Sequence, residues 1–165
     1  MEIIAILVVM GILVVIAVSR SVNYDAEVYG GADVLRSHLR YAQTLAMNSS
    51  PNAGITIWGI SSNGNSYWLF QGTNPADAAS FIRLPENDTY INADRTINLT
   101  TKRIKFTAGF TIYFDNRGIP YTAYTDATIG NNTPLDNTMT INVQPLNAAT
   151  PNIAVTITPR TGYIQ

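Results

Sequence analysis

Ile3 to Val18 reads IIAILVVMGILVVIAV, sixteen apolar or small residues in succession. At about 1.5 Å per residue, a helix of this length covers roughly 24 Å, slightly less than the ~30 Å hydrocarbon core of a bilayer. Such a helix is apolar on every face, unlike a helix on the surface of a soluble domain. No basic region precedes the stretch and no small-residue cleavage site follows it, so an ordinary secretory signal peptide is not indicated. Hydropathy alone predicts a single-pass membrane anchor.

The apolar pattern continues beyond Ser19-Arg20 but is confined to one side. Apolar residues follow at spacings of three and four, which predicts an amphipathic helix to about Met47. The polar stretch Asn48 to Pro51 ends it, because a helix interior does not accept proline. Gly11 and the Gly30-Gly31 pair are its weak points, each glycine costing roughly 1 kcal/mol relative to alanine. The predicted core-facing residues are Val28, Ala32, Leu35, Leu39, Ala42 and Ala46.

From Ala53 onward the apolar period is two, which is typical of strands. Residues 55–58 and 67–70 flank a turn-rich segment and predict a hairpin. Further strands are predicted at 81–84, 103–106, 110–114, 138–143, 153–158 and 163–165, and residues 125–137 are predicted to be a polar loop. The expected fold class is α+β: a long N-terminal α-helix, apolar in its first third, packed on an antiparallel β-sheet head domain. The expected divisions are 1–20 for the apolar helix, 21–50 for its amphipathic half and 51–165 for the head.

Composition narrows the functional classes. The charged fraction is 13%, about half of the roughly 25% of a soluble domain, and the formal net charge is −1. No bulk attraction to nucleic acid or anionic lipid is therefore implied. The chain has no cysteine, which excludes disulfides, thiolate metal sites and cysteine nucleophiles.

The N-terminal stretch carries the most specific motif. Glu2 and Gly11 stand nine positions apart in an otherwise apolar run. This arrangement resembles the N-terminus of the type IV pilins and type II secretion pseudopilins, the class III N-terminal methylation helix, if this sequence begins three residues late. The usual glycine-phenylalanine-threonine-leucine around the prepilin peptidase site is missing. The resemblance implies a pilin-like fold and a subunit that polymerises through its N-terminal helix.

The same resemblance implies which residues act in assembly. Glu2 would neutralise the N-terminal ammonium, here on Met1, of a neighbouring subunit in a dry filament core, where an unpaired charge is heavily penalised. The remaining expected assembly residues are Ile3, Ile4, Ile6, Leu7, Val8, Gly11, Ile12 and Leu13. The implied partners are further copies of the chain in a helical filament, a prepilin peptidase, and an inner-membrane assembly machinery with its own ATPase. The chain would lie in the inner membrane before assembly and afterwards in an extracellular or periplasmic filament.

A second resemblance lies in the rest of the chain. Residues 35–46 (LRSHLRYAQTLA), 114–120 (FDNRGIP) and 157–164 (ITPRTGYI) are similar to segments of the GspH/FimT-type pseudopilins. That group consists mostly of minor subunits, which implies a role in assembly initiation, type II secretion or DNA uptake. Three alternatives thus stay open: a main structural subunit, a minor pseudopilin, and a single-pass membrane-anchored β domain.

Other candidate sites have simpler interpretations. His38 is the only histidine and lies beside the apolar stripe, so a packing role is favoured over a general base. The turn Asp115 to Gly118 could offer oxygens to calcium, but it is short and contains an arginine, which favours a plain turn. Lys102, Arg103 and Lys105 form a single small basic group, and without a basic tail no nucleic-acid partner is expected. The sequence predicts no enzyme, no cofactor and no metal site.

Overall fold

The computed structural model describes residues 2–49, 57–126 and 131–165 of the 165-residue chain. A single α-helix, α1 (Glu2–Met47), comes first. Within α1, side chains are described at residues 3–4, 6–13 and 25–47. The predicted stripe is confirmed: Val28, Ala32, Leu35, Leu39, Ala42 and Ala46 are all fully buried.

The larger sheet has seven strands, all paired antiparallel. It is centred on a hairpin, β1 (Trp58–Ser62) and β2 (Ser66–Gln71), in which Ile60 faces Leu69. A hairpin was predicted here, but its first strand begins at Trp58, the last residue of the predicted strand 55–58. The strand order is β3-β2-β1-β6-β7-β8, and β4 also pairs with β2. The other five strands are β3 (Phe81–Ile82), β4 (Ile97–Asn98), β6 (Phe110–Phe114), β7 (Pro120–Ala123) and β8 (Thr133–Pro134).

A second, three-stranded sheet lies beside it in the order β10-β9-β5. Its strands are β5 (Ile104–Phe106), β9 (Met139–Pro145) and β10 (Ile153–Ile157). The predicted strand at 163–165 is reduced to a bridge between Ile157 and Ile164, with two backbone hydrogen bonds between Thr156 and Gln165. These contacts occupy the outer side of β10.

Alternation along the strands of the larger sheet produces two apolar layers. On β6, Ile112 and Phe114 face the core that α1 shares with both sheets, whereas Tyr113 faces the opposite side. The second layer is mostly aromatic, with Phe70 and Tyr113 rings meeting edge to face at 5.2 Å. The larger sheet is therefore covered on both faces, and α1 covers only one of them.

Side-chain hydrogen bonds connect the C-terminal end of α1 to the sheets. The Ser49 hydroxyl donates to the carbonyl of Leu45 at 2.8 Å and accepts from Trp58 Nε1 at 2.8 Å. Gln43 Nε2 donates to the carbonyl of Gly118 at 2.9 Å and reaches that of Thr161 at 3.4 Å. One glutamine thus joins the helix to the β6–β7 turn and to the C-terminal turn.

The expected fold class, a long N-terminal helix packed on an antiparallel sheet, is wrong. The helical stretches whose side chains are described are short, residues 6–13 and 25–47, and most of the chain outside them is antiparallel sheet. Residues 25–47 pack against the sheets. The described apolar side chains of residues 6–13 belong to neither hydrophobic cluster. Within the described part of the chain, no helix is long and apolar enough to cross a membrane.

Candidate functional site

The apolar segment, defined as Ile3 to Leu13, lies on the surface of the molecule. Its described large side chains are between 56% and 74% exposed, although isoleucine, leucine and valine are normally among the most buried residue types. The exposed positions cover consecutive residues of a helix and therefore all of its faces. The residues concerned are Ile3, Ile4, Ile6, Leu7, Val8, Val9, Met10, Ile12 and Leu13.

The predicted assembly residues thus fall into two groups. Ile3, Ile4, Ile6, Leu7, Val8, Gly11, Ile12 and Leu13 lie together in the apolar segment, and a Cβ on Gly11 would meet nothing within 4 Å. Met1 and the side chain of Glu2 lie outside the described residues, so the predicted pairing of Glu2 with a neighbouring N-terminus stays a prediction.

His38 lies inside the molecule, where it takes part in packing. It is 3% exposed, and its Nδ1 lies 2.8 Å from the Tyr67 hydroxyl, a hydrogen bond between helix and sheet. Burial lowers the pKa of His38, while Glu86 raises it and Lys102 lowers it as nearby charges. Burial raises the pKa of Tyr67. A neutral histidine bonded to a neutral tyrosine in this setting stabilises the interface and has no solvent-accessible substrate position.

Asp115 organises a turn, and its oxygens are already occupied. Its carboxylate accepts hydrogen bonds from the backbone of Arg117 and Ile119, from the Arg117 guanidinium and from the Tyr121 hydroxyl. Five donors on one carboxylate leave no free lone pair directed at a cation. Within the described residues no group of three or more metal-ligating side chains occurs. The geometry is that of a plain turn.

The three basic residues around Lys102 do not form a free cationic patch. Lys102 is ion-paired with Glu86 and its Nζ lies 4.6 Å from the centroid of the Tyr90 ring. Hydrogen bonding and charge from Lys102 lower the pKa of Glu86 even though burial opposes the shift. Arg103 Nη1 lies 3.6 Å from Glu27 Oε1. Both cations therefore lie beside carboxylates, Lys102 in a largely buried pair and Arg103 with a side chain that is 68% exposed.

These residues surround a cleft between α1 and the turn before β5, with a volume of about 580 Å³. The sequence interpretation did not include this cleft. Its helix side is formed by Glu27, Gly30 and Gly31, and its opposite side includes Glu86, Lys102 and Arg103. Its members come from residues 26–34 and 86–103, which are far apart in the sequence, so no local pattern indicated it.

Comparison with known proteins gave no similarity from which a function could be transferred. No protein-family model matches the chain. Neither a curated protein nor a solved structure matches it.

Proposed function

We propose that this chain is a structural subunit of a type IV pilus-like filament, outside the cell or in the periplasm, that polymerises through the apolar segment. The observation that carries the proposal is the exposure of nine large apolar side chains on consecutive turns of one helix. A contiguous exposed patch of large apolar side chains marks an interaction site. Burying one such side chain contributes about 1.5–3 kcal/mol, so association of these segments is strongly favoured in water.

The rest of the molecule fits a subunit that presents this segment. Residues 25–47 of the same helix are held by the core and by the Gln43 and Ser49 hydrogen bonds, which fixes the helix to the sheets. Among the described residues, no constellation of nucleophile, base and oxyanion donors surrounds the single histidine, His38, which is buried on α1. Repetition of one subunit, not catalysis, is the function that this arrangement serves best.

The partners follow from the same proposal. Further copies of the chain surround the apolar segment in the filament, and a membrane-bound assembly machinery with an ATPase delivers each subunit to it. A prepilin peptidase prepares the N-terminus, and Glu2 neutralises a neighbouring ammonium there.

The test uses matched substitutions in the full chain. Leu7→Gln combined with Met10→Gln places two amides where the proposal requires a dry contact, and each unsatisfied amide costs about 1–3 kcal/mol there. Met47→Gln is the control, because Met47 is 56% exposed on the same helix but lies outside the apolar segment. Filaments are sheared from producing cells, imaged, and quantified for this chain by mass spectrometry. Thermal unfolding checks that each variant folds.

We expect the double variant to lose at least about tenfold of its filament yield, which corresponds to about 1.4 kcal/mol in assembly, and the control to stay within about twofold. We expect Glu2→Ala to lose filaments as well. The chain as the dominant component of thin filaments supports a main structural subunit, and trace amounts support the minor pseudopilin instead. Recovery in the membrane fraction alone would overturn the proposal and leave the membrane-anchored β domain. Normal filament yield from the double variant would overturn polymerisation through the apolar segment.

A further inference from the structure

The cleft between α1 and the turn before β5 contains a carboxylate oxygen without a hydrogen-bond partner in the described part of the chain. Oε2 of Glu27 is buried and has no hydrogen-bond partner among the described residues. Its other oxygen, Oε1, is 3.6 Å from Arg103 Nη1, which is too long for a hydrogen bond. A buried carboxylate oxygen without a donor is costly, so the folded chain alone leaves this site incomplete. The side chain as a whole is 30% exposed and is therefore reached from the cleft.

Two backbone features lie at the cleft. A Cβ on Gly30 would meet nothing within 4 Å, although glycine inside a helix is destabilising relative to alanine. Arg103 adopts a left-handed conformation with φ of 58°, which is uncommon for a residue with a side chain. Residues in such conformations cluster at binding sites.

The occupant must be a hydrogen-bond donor, and a cation suits it best. The free atom is a carboxylate oxygen, which only accepts hydrogen bonds. Arg103 is held at 3.6 Å and Lys102 is engaged by Glu86, so neither cation of the cleft completes the site. A guanidinium is favoured over an ammonium, because its planar fork can bind both oxygens of one carboxylate.

One exposed cation of this chain fits that requirement. Arg160 is exposed, and its side chain makes no hydrogen bond or ion pair with the described part of the chain. It lies in the C-terminal turn with φ of 63°, next to Thr161, whose carbonyl is contacted by Gln43. Nearby Tyr163 is 61% exposed, and tyrosine and arginine together are enriched at interface hot spots.

The cleft and Arg160 lie at opposite ends of the docked part of α1. Glu27 is near its beginning and Gln43, which marks the position of the C-terminal turn, is near its end. Sixteen residues of helix separate them by about 24 Å. The two groups therefore cannot meet within one copy but can meet between copies stacked head to tail, and such a contact propagates as a filament.

We propose that Arg160 of one copy enters the cleft of the next copy and donates to the Glu27 carboxylate. This inference rests on the proposed filament and adds to it a second contact, made by the heads. The apolar segment supplies the adhesion between copies, and the Arg160–Glu27 pair sets the axial position of one head relative to the next.

Charge exchange tests the pair in the full chain. Glu27→Arg and Arg160→Glu are made singly and together, and filament yield is measured as for the apolar segment. Asp25→Arg and Lys105→Glu are the matched controls, because they make the same charge changes on α1 and on β5. We expect each single exchange to lower yield at least about tenfold and the double exchange to restore it to within about twofold of the original chain. The controls should stay close to the original yield.

Cross-linking detects the contact between the C-terminal turn of one copy and the cleft of the next, and it does not depend on filament yield. The chain has no cysteine, so Gly30→Cys with Thr161→Cys introduces the only two thiols and keeps both Arg160 and Glu27. A short bismaleimide should convert filaments of this variant into a ladder of covalent oligomers. The control pair Gly30→Cys with Ala76→Cys should give no ladder.

The two proposals fail in different ways. Two results would overturn the head contact but leave the proposed filament in place. One is abundant filaments that give no ladder of covalent oligomers. The other is a double charge exchange whose filament yield is no higher than that of the poorer single exchange. Absence of filaments from the original chain would overturn both. Thermal unfolding of the five charge variants excludes misfolding as the cause of a loss.

Discussion

Adjacent glycines of α1 differ in what surrounds them. A Cβ on Gly31 would lie 2.3 Å from Cδ1 of Ile104, which is buried against the helix. A Cβ on Gly30 would enter open space. Gly31 is therefore a contact residue of the core, whereas Gly30 is not.

Alanine at each of these positions should have opposite effects. We expect Gly31→Ala to lower the free energy of unfolding by about 1–3 kcal/mol, because an extra methyl group overpacks the contact with Ile104. Gly30→Ala should raise it by about 1 kcal/mol, the ordinary helix preference for alanine. Denaturant unfolding of the dispersed full chain measures both, and equal effects of the two substitutions would contradict this account of the contact.

A second residue-scale prediction concerns pH and His38. Burial lowers its folded-state pKa below the ordinary value of 6.5, so the unfolded chain binds the proton more readily. The free energy of unfolding should therefore be highest above about pH 6.5 and fall as the pH drops below it. Tyr67, Glu86 and Lys102 are the titratable groups that face the ring.

The measurement is the melting temperature of the original chain and of His38→Gln between pH 7.5 and 5. The variant should lose the decline in this interval, because glutamine does not titrate. Glu86, whose pKa is lowered from 4.5, contributes its own loss only at more acidic pH and so does not mask the difference. An identical decline in both chains would show that His38 is not its source.

At the scale of elements, Gln43 connects three of them. Its side-chain amide donates to the carbonyl of Gly118, a buried glycine, and reaches that of Thr161. Gln43→Ala leaves the first carbonyl without its donor, so we expect a loss of about 1–3 kcal/mol in the free energy of unfolding. Thr44→Ala is the control: Thr44 is exposed and bonds only within the helix, to the carbonyl of Arg40. It should change stability by less than about 0.5 kcal/mol.

Some elements of the fold could be predicted from the sequence, and others could not. The stripe from Val28 to Ala46 and the hairpin around Gly64 were predictable, because periods of 3.6 and 2 report burial directly. The strand β7 was missed, since it begins at Pro120 and its last two residues are exposed, which leaves no alternation to read. The fold class failed for a different reason: apolar periodicity predicts that a segment will be buried but does not say against what.

One part of the candidate site could also be predicted from the sequence, and another part could not. The apolar segment was predictable because nine exposed apolar residues are visible as a hydropathy run. The cleft was not, because its members come from residues 26–34 and 86–103 and meet only in the folded chain. Charge counting placed Lys102 and Arg103 in one basic group, whereas folding put each of them opposite a carboxylate.

For the whole molecule, the proposed function predicts a change in hydrogen exchange on assembly. In the dispersed chain, amides of residues 6–13 belong to a helix whose side chains contribute to neither cluster, so their exchange should be fast relative to those of β1 and β6. In filaments the same amides should become protected, by about tenfold or more. Mass spectrometry of exchanged, digested samples measures this, and unchanged exchange at residues 6–13 would contradict burial of the apolar segment.

The borders of the two sheets matter when many heads are crowded along one axis. An open strand at such a border is a template for pairing with a neighbouring chain, which leads to amyloid-like aggregation. The two edge strands of the larger sheet, β3 and β8, are only two residues long. In addition, β8 contains Pro134, which has no backbone N–H to donate to a further strand. The outer side of β10 is already taken by the bridge to Ile164. In the proposed filament, a head built in this way could be packed at very high local concentration without recruiting its neighbours into continuous β-structure.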